Sequence, residues 1–169
     1  MLQHTKFYDS VIIVSEILKK RIKQSADFES PINEAMLNVI VAADYLRAQN
    51  EGVCSDFDIT PGQYNVLRIL RGVGQEGHSR CEISKRMVER APDVTRLVDR
   101  LEKQGLVVRD RSTEDKRQSI TRITEKGLNL LEQMQPKFEE AARFWSEKLN
   151  LPEWIALSHL CEKIYDERA

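Results

Sequence analysis

Pro92-Asp93-Val94-Thr95-Arg96-Leu97-Val98-Asp99-Arg100-Leu101, followed by Arg109-Asp110-Arg111-Ser112-Thr113-Glu114-Asp115-Lys116-Arg117, is the stretch whose reading decides the fold. Val94, Leu97, Val98 and Leu101 recur at i, i+3, i+4 and i+7, which puts them on one side of an α-helix. Pro92 can supply the first helical position and Gly105 a left-handed stop. Asp93, Thr95, Arg96, Asp99, Arg100 and Lys103 are left on the other face or its edges. Past the stop, residues 106–109 and 119–123 are short β-prone runs around a charged tip. They predict a two-stranded hairpin.

The flanks read as helices. Thr60-Pro61-Gly62-Gln63 and Ser79-Arg80-Cys81-Glu82 are capping boxes. The first opens a helix with Tyr64, Leu67 and Leu70 inward. The second opens a short helix with Ile83 and Met87 inward. Upstream, a helix is expected over residues 5–24 and another from Ser30-Pro31 to about Gly52. Downstream, Thr124 caps a long helix whose Pro136 should bend or break it. Asn150-Leu151-Pro152-Glu153 opens the last helix. The order of helix, short helix, brief connection, amphipathic helix and hairpin is that of a winged helix-turn-helix. The fold class is mainly α with a small β-hairpin wing.

Charge distribution points the same way. The chain of 169 residues carries a formal net charge of −1, yet residues 79–124 hold 12 Lys and Arg against 8 Asp and Glu. That segment is +4 and the remainder −5, an asymmetry that focuses attraction for a polyanion on one surface. The three cysteines lack CxxC spacing, so neither a disulfide framework nor a zinc site is expected. The apolar run Val11-Ile12-Ile13-Val14 is too short to span a bilayer. No signal peptide is read at the start, and a cytoplasmic location is expected. His4, His78 and His159 lie far apart, and no GxGxxG, GxxxxGK[ST] or GxSxG pattern occurs. Enzymatic chemistry, metals and cofactors are therefore not expected.

In a winged helix-turn-helix the second helix enters the major groove and the first braces it. Arg96 and Arg100 can read guanine bidentately, and Thr95 can bond a phosphate or touch a thymine methyl. Asp93 either complements the helix dipole or accepts from a cytosine amine. Asp99 and Arg100 can equally form surface ion pairs, and Asp99 stands four residues before Lys103, the spacing of a helix-surface pair. In the hairpin, Arg111, Lys116 and Arg117 are candidates for the phosphate backbone and minor groove. A plain solvated loop is the competing reading.

Residues 60–128 resemble the MarR family of winged-helix regulators. The resemblance rests on Thr60-Pro61-Gly62-Gln63-Tyr64-Asn65-Val66-Leu67, on residues 93–107, and above all on Asp115-Lys116-Arg117 closed by Ile123-Thr124-Glu125-Lys126-Gly127. It implies a sequence-specific DNA-binding transcriptional regulator, expected to be a repressor, working as a homodimer. Residues 1–58 and 126–169 would hold the dimerisation helices, around a DNA-binding domain at 59–125. Arg117 looks like the wing arginine of the minor groove and Asp115 like the residue that positions it. Ala91-Pro92-Asp93 stands where many members have serine or threonine, so base preference does not transfer. Ile123 replaces the usual leucine.

Two symmetric recognition helices imply an inverted repeat with half-sites about 34 Å apart or a multiple. The resemblance also implies a small aromatic or anionic effector, for which Phe57 and Tyr64 are the candidate residues. Trp145 and Trp154 are further aromatics, and plain core packing is the competing reading for each. Alternative functions are a protein-interaction winged helix or a thiol-based redox regulator. For the latter, Cys54 in Glu51-Gly52-Val53-Cys54-Ser55-Asp56 reads as the most exposed thiol, with acidic neighbours that raise its pKa. Cys81 and Cys161 read as lying at apolar helix faces.

Overall fold

A computed structural model describes residues 16–89, 93–111 and 119–166. The chain divides into two compact units, residues 1–48 and 49–169. In the first, α1 (Glu16–Ile22) carries the buried Leu18, and α2 (Pro31–Ser55) begins where Ser30 accepts a hydrogen bond from the Asn33 N–H at 3.2 Å. The residues expected to begin the first helix lie outside the described ones. The last turns of α2 pass into the second unit. Gly52 does not stop this helix, which continues to Ser55.

The second unit holds α3 (Pro61–Val73), β1 (His78–Ser79), α4 (Arg80–Arg86), α5 (Val94–Lys103), β2 (Val107–Arg111), β3 (Ser119–Ile123), α6 (Glu125–Ser146) and α7 (Leu151–Tyr165). The capping box of α3 is complete. Thr60 Oγ1 accepts from the Gln63 N–H at 3.2 Å, and Gln63 Oε1 accepts from the Thr60 N–H at 2.9 Å. The box at α4 is one-sided. Ser79 Oγ accepts from the Glu82 N–H, but the Glu82 carboxylate turns to Lys85 at 2.8 Å instead of reaching back. The Asn150 box that opens α7 is reciprocal.

Val66, Leu67, Leu70, Ile83, Val98, Leu101, Leu131 and Met134 make the centre of the core, so α3, α4, α5 and α6 share one apolar interior. Met87 packs at its edge, one residue past the end of α4. Residues 90–92 lie outside the described ones, Pro92 included. The helix that follows starts at Val94, with Asp93 as its cap rather than a first-turn residue. Lys103 ends it, and Gly105 follows at φ 71°. α6 passes through Pro136 without a break. The proline is on the exposed side, where water can satisfy the carbonyl that loses its partner.

The expected two-stranded hairpin is a three-stranded antiparallel sheet of order β1-β3-β2. Val107 pairs with Ile123 and Arg111 with Ser119, while His78 pairs with Thr121 on the other edge of β3. Two residues are too short to carry a strand pattern, which is why β1 escapes the sequence. It can approach because Gly77, at φ 66°, has no side chain. A Cβ there would stand 2.4 Å from the Thr121 carbonyl oxygen. Among the described residues no helix is long and apolar enough to cross a membrane.

Candidate nucleic-acid interface

Helix α5 is held from beneath and open above. Val94, Val98 and Leu101 are buried, with Leu97 half-buried at the core's edge. Asp93 uses both carboxylate oxygens locally. Oδ1 accepts from the Arg96 N–H at 3.0 Å, and Oδ2 lies 3.2 Å from Arg96 Nε. It is thus occupied as a cap and a dipole partner. The Arg96 side chain is 80 % exposed despite that pair. Arg100 is also exposed and makes no ion pair among the described residues.

Thr95 is half-buried and is not free. Its Oγ1 accepts from Arg80 Nη1 at 3.0 Å. Arg80, the first residue of α4, was not singled out by the sequence, which gives no sign that a side chain 15 positions upstream reaches the second helix.

Asp99 does have a structural partner, but it is not Lys103. Arg109 Nη1 lies 2.8 Å from Asp99 Oδ1, and Arg109 Nε donates to Glu102 Oε2 at 2.9 Å. The planar guanidinium of β2 spans two acids one helical turn apart, a fit that the Lys103 ammonium on the helix itself does not offer. The same contact holds the Glu102 carboxyl below the usual carboxylate range and raises the Arg109 pKa. An acidic pair at i, i+3 with an arginine shortly after the helix was the available signal.

On the sheet, Arg122 Nη1 lies 2.6 Å from Asp110 Oδ2, and its Nε donates to the Gln75 carbonyl at 2.6 Å. Arg111 is the last paired residue of β2. Asp115, Lys116 and Arg117 lie outside the described residues. Ser79, Arg80, Cys81, Thr95, Val98, Arg109 and Thr121 help line a cavity of about 690 Å³ between α4, α5 and the sheet.

The proposed effector residues separate. Tyr64 stacks on Phe138 with ring centroids 4.5 Å apart, and its hydroxyl accepts from Arg68 at 2.9 Å. It borders a second cavity of about 310 Å³ with Asn50, Asn65, Arg68 and Met87. Phe57 packs against the core and does not line that cavity.

The thiols reverse the sequence reading. Cys54 is fully buried and Cys81 is exposed. The last turn of α2 points its polar residues outward and Cys54 inward, and burial pushes that thiol up to about 11. On α4 it is Ile83 that faces the core.

A family model described as the MarR family matches residues 59–119. A MarR transcription factor from Planctomyces limnophilus is 36% identical, with 80% of this chain and 98% of that one aligned and a TM-score of 0.63. The HTH-type transcriptional regulator FarR of Neisseria gonorrhoeae is 25% identical over 128 residues, spanning 76% of this chain and 86% of that protein. The S. aureus MepR–DNA complex superposes with a TM-score of 0.67 at 23% identity over 77% of this chain and 94% of that one, a likeness of fold. With an exposed arginine-bearing helix on a braced winged domain and these relatives, the chain belongs to the MarR family of DNA-binding transcriptional regulators.

Proposed function

We propose that this protein is a repressor that acts in the cytoplasm as a homodimer on an inverted-repeat operator and is released by a small aromatic or anionic effector. The observation that carries the DNA reading is the division of α5. One face is locked into the core by Val94, Val98 and Leu101, and the other presents Arg96 with 80 % of its side chain exposed. Arg96 and Arg100 would read base edges, and Asp93 would hold Arg96 in place. Arg111, Lys116 and Arg117 would reach the backbone and minor groove, with Asp115 orienting Arg117. Pro92 would sit at the entry to the recognition helix. MepR, which shares the fold, is bound to DNA in its own structure.

The dimer reading is supported by α7. Its Leu157, Leu160 and Ile164 recur at i, i+3 and i+7 and are 40%, 59% and 69% exposed, a stripe along one face rather than scattered single side chains. The dimerisation helices would lie in residues 1–58 and 126–169. The effector reading is supported by the cavity beside Tyr64, where an aromatic ring, the Arg68 cation and the Asn50 and Asn65 amides converge.

The test is selection of binding sites from random duplex DNA, followed by titration of the recovered sequence. An inverted repeat is expected. Arg96→Ala should weaken that site about 5- to 150-fold and relax base preference, since a bidentate pair is worth about 1–3 kcal/mol. Arg117→Ala should weaken all duplexes alike and reduce the salt slope by about 1. Recovery of no common sequence, or wild-type binding by both variants, would overturn the assignment.

A further inference from the structure

The hydrogen bond between Arg80 and Thr95 joins a residue outside the recognition helix to one inside it. We infer that Arg80 is a positioning residue for sequence readout: its guanidinium fixes the Thr95 hydroxyl as a polarised donor, so that α5 selects a hydrogen-bond acceptor on the DNA at that point. The inference rests on the reading that α5 enters the groove.

The chemistry follows from what a threonine hydroxyl can do. It has one proton to give and two lone pairs to receive with. Arg80 Nη1, at 3.0 Å, occupies one lone pair with a cationic donor. A donor that carries charge makes the stronger bond and draws electron density from the oxygen, which makes the remaining O–H a better donor. The hydroxyl is thereby biased toward the base-edge acceptors guanine O6 or N7, thymine O4 and adenine N7. It is biased against the cytosine amine, which needs an acceptor.

The bond is also well placed to stay formed. Arg80 begins α4 directly after Ser79, which caps that helix and is paired to Ile120 in the sheet. Its backbone is therefore anchored at the point where the paired strand passes into the capped helix. Thr95 sits one residue past Val94, a core residue at 6% exposure. Both ends of the bond stand on fixed supports and border the same cavity. An unbraced threonine would rotate among staggered χ1 positions and could offer either donor or acceptor.

The experiment uses the full chain and a duplex recovered by selection from random DNA, with every base pair of one half-site varied in turn. Binding is measured for wild type, Arg80→Ala, Thr95→Val, Thr95→Ser, Arg96→Ala and the Arg80→Ala/Thr95→Val double variant. Thermal melting of each confirms folding.

Thr95→Val should lose about three- to tenfold in discrimination at one position, the range of one net hydrogen bond. Arg80→Ala should flatten preference at that same position. The double variant should flatten it no further than Thr95→Val alone. Thr95→Ser, which keeps the hydroxyl, should retain the preference. If Thr95→Val changes the profile while Arg80→Ala weakens every duplex by the same factor, the inference fails and Arg80 is only a positive charge near the backbone. If Thr95→Val leaves the whole profile unchanged while Arg96→Ala alters it, Thr95 does not read DNA and the inference falls with it. If neither changes the profile, the reading of α5 itself is wrong.

Discussion

Gly127→Ala sets two effects of opposite sign against each other. Gly127 lies in the first turn of α6, where alanine favours helix by about 1 kcal/mol over glycine. Propensity alone predicts a more stable protein. The surroundings predict the reverse. A Cβ at Gly127 would stand 2.4 Å from the Leu106 carbonyl oxygen and 2.7 Å from Ile123 Cγ1. The first contact is about 1 Å inside the 3.4 Å at which ordinary contact begins.

Relief is difficult there. The Leu106 oxygen is backbone and already accepts from the Thr124 N–H at 3.1 Å, the residue that caps α6. Moving it would disturb the junction of α5, β2 and α6 together. Overpacking of a rigid site costs about 1–3 kcal/mol, occasionally more. The close approach to backbone puts this site at the upper end. After the helix gain is subtracted, a net loss of about 2 kcal/mol is expected. For a chain of this size that lowers the melting temperature by about 4–8 °C. Denaturant titration should show a lower midpoint at unchanged slope. An alanine variant as stable as the parent, or more so, would refute the reasoning.

Other outcomes follow from the same structure. Under native conditions an alkylating reagent should label Cys81 rapidly and spare Cys54 until the protein unfolds, as read by peptide mass spectrometry; early labelling of Cys54 would contradict its burial and its raised pKa. Leu160→Asp should shift the protein toward monomer in sedimentation velocity without changing its helical content; an unaltered sedimentation coefficient would remove α7 from the interface. Glu102 is held below its unfolded pKa of about 4.3, so its contribution to stability is present above that pH and is lost as pH falls through the lower folded value. Arg109→Met removes the partner, and its stability should therefore fall less steeply than the parent's as pH drops below about 4.3, in urea titrations at each pH.

The helices were legible because their signals are local. Thr60, Thr124 and Asn150 cap the helices that they announce, and the stripe of α5 is the buried stripe. What the sequence misplaced depends on contacts made across the fold. β1 exists only because β3 offers it an edge. Cys54 looks exposed among acids and glycine, but the angle at which α2 ends turns it inward. Asp99 has a plausible partner on its own helix and a better one on a strand.

At the candidate interface, Arg96 and Arg100 could be read from their place opposite the apolar stripe. Arg80 could not, since no spacing rule links the start of one helix to the second position of the next. Tyr64 keeps a cavity wall, whereas Phe57 is occupied by packing.

The supports of the recognition helix form a closed hoop. β1 runs into α4, whose Arg80 holds Thr95 on α5; Asp99 and Glu102 of α5 hold Arg109 on β2; β2 pairs with β3, and β3 pairs back to β1. A hoop cut once is still a connected chain. Losing Arg80 or Arg109 alone therefore leaves α5 tied to the sheet by the other route. Losing both leaves its apolar underside and the Gln104–Asp58 hydrogen bond at its C-terminal end to orient it. The damage from the pair should exceed the sum of the two single losses, a redundancy that allows individual links of this ring to change without releasing the helix.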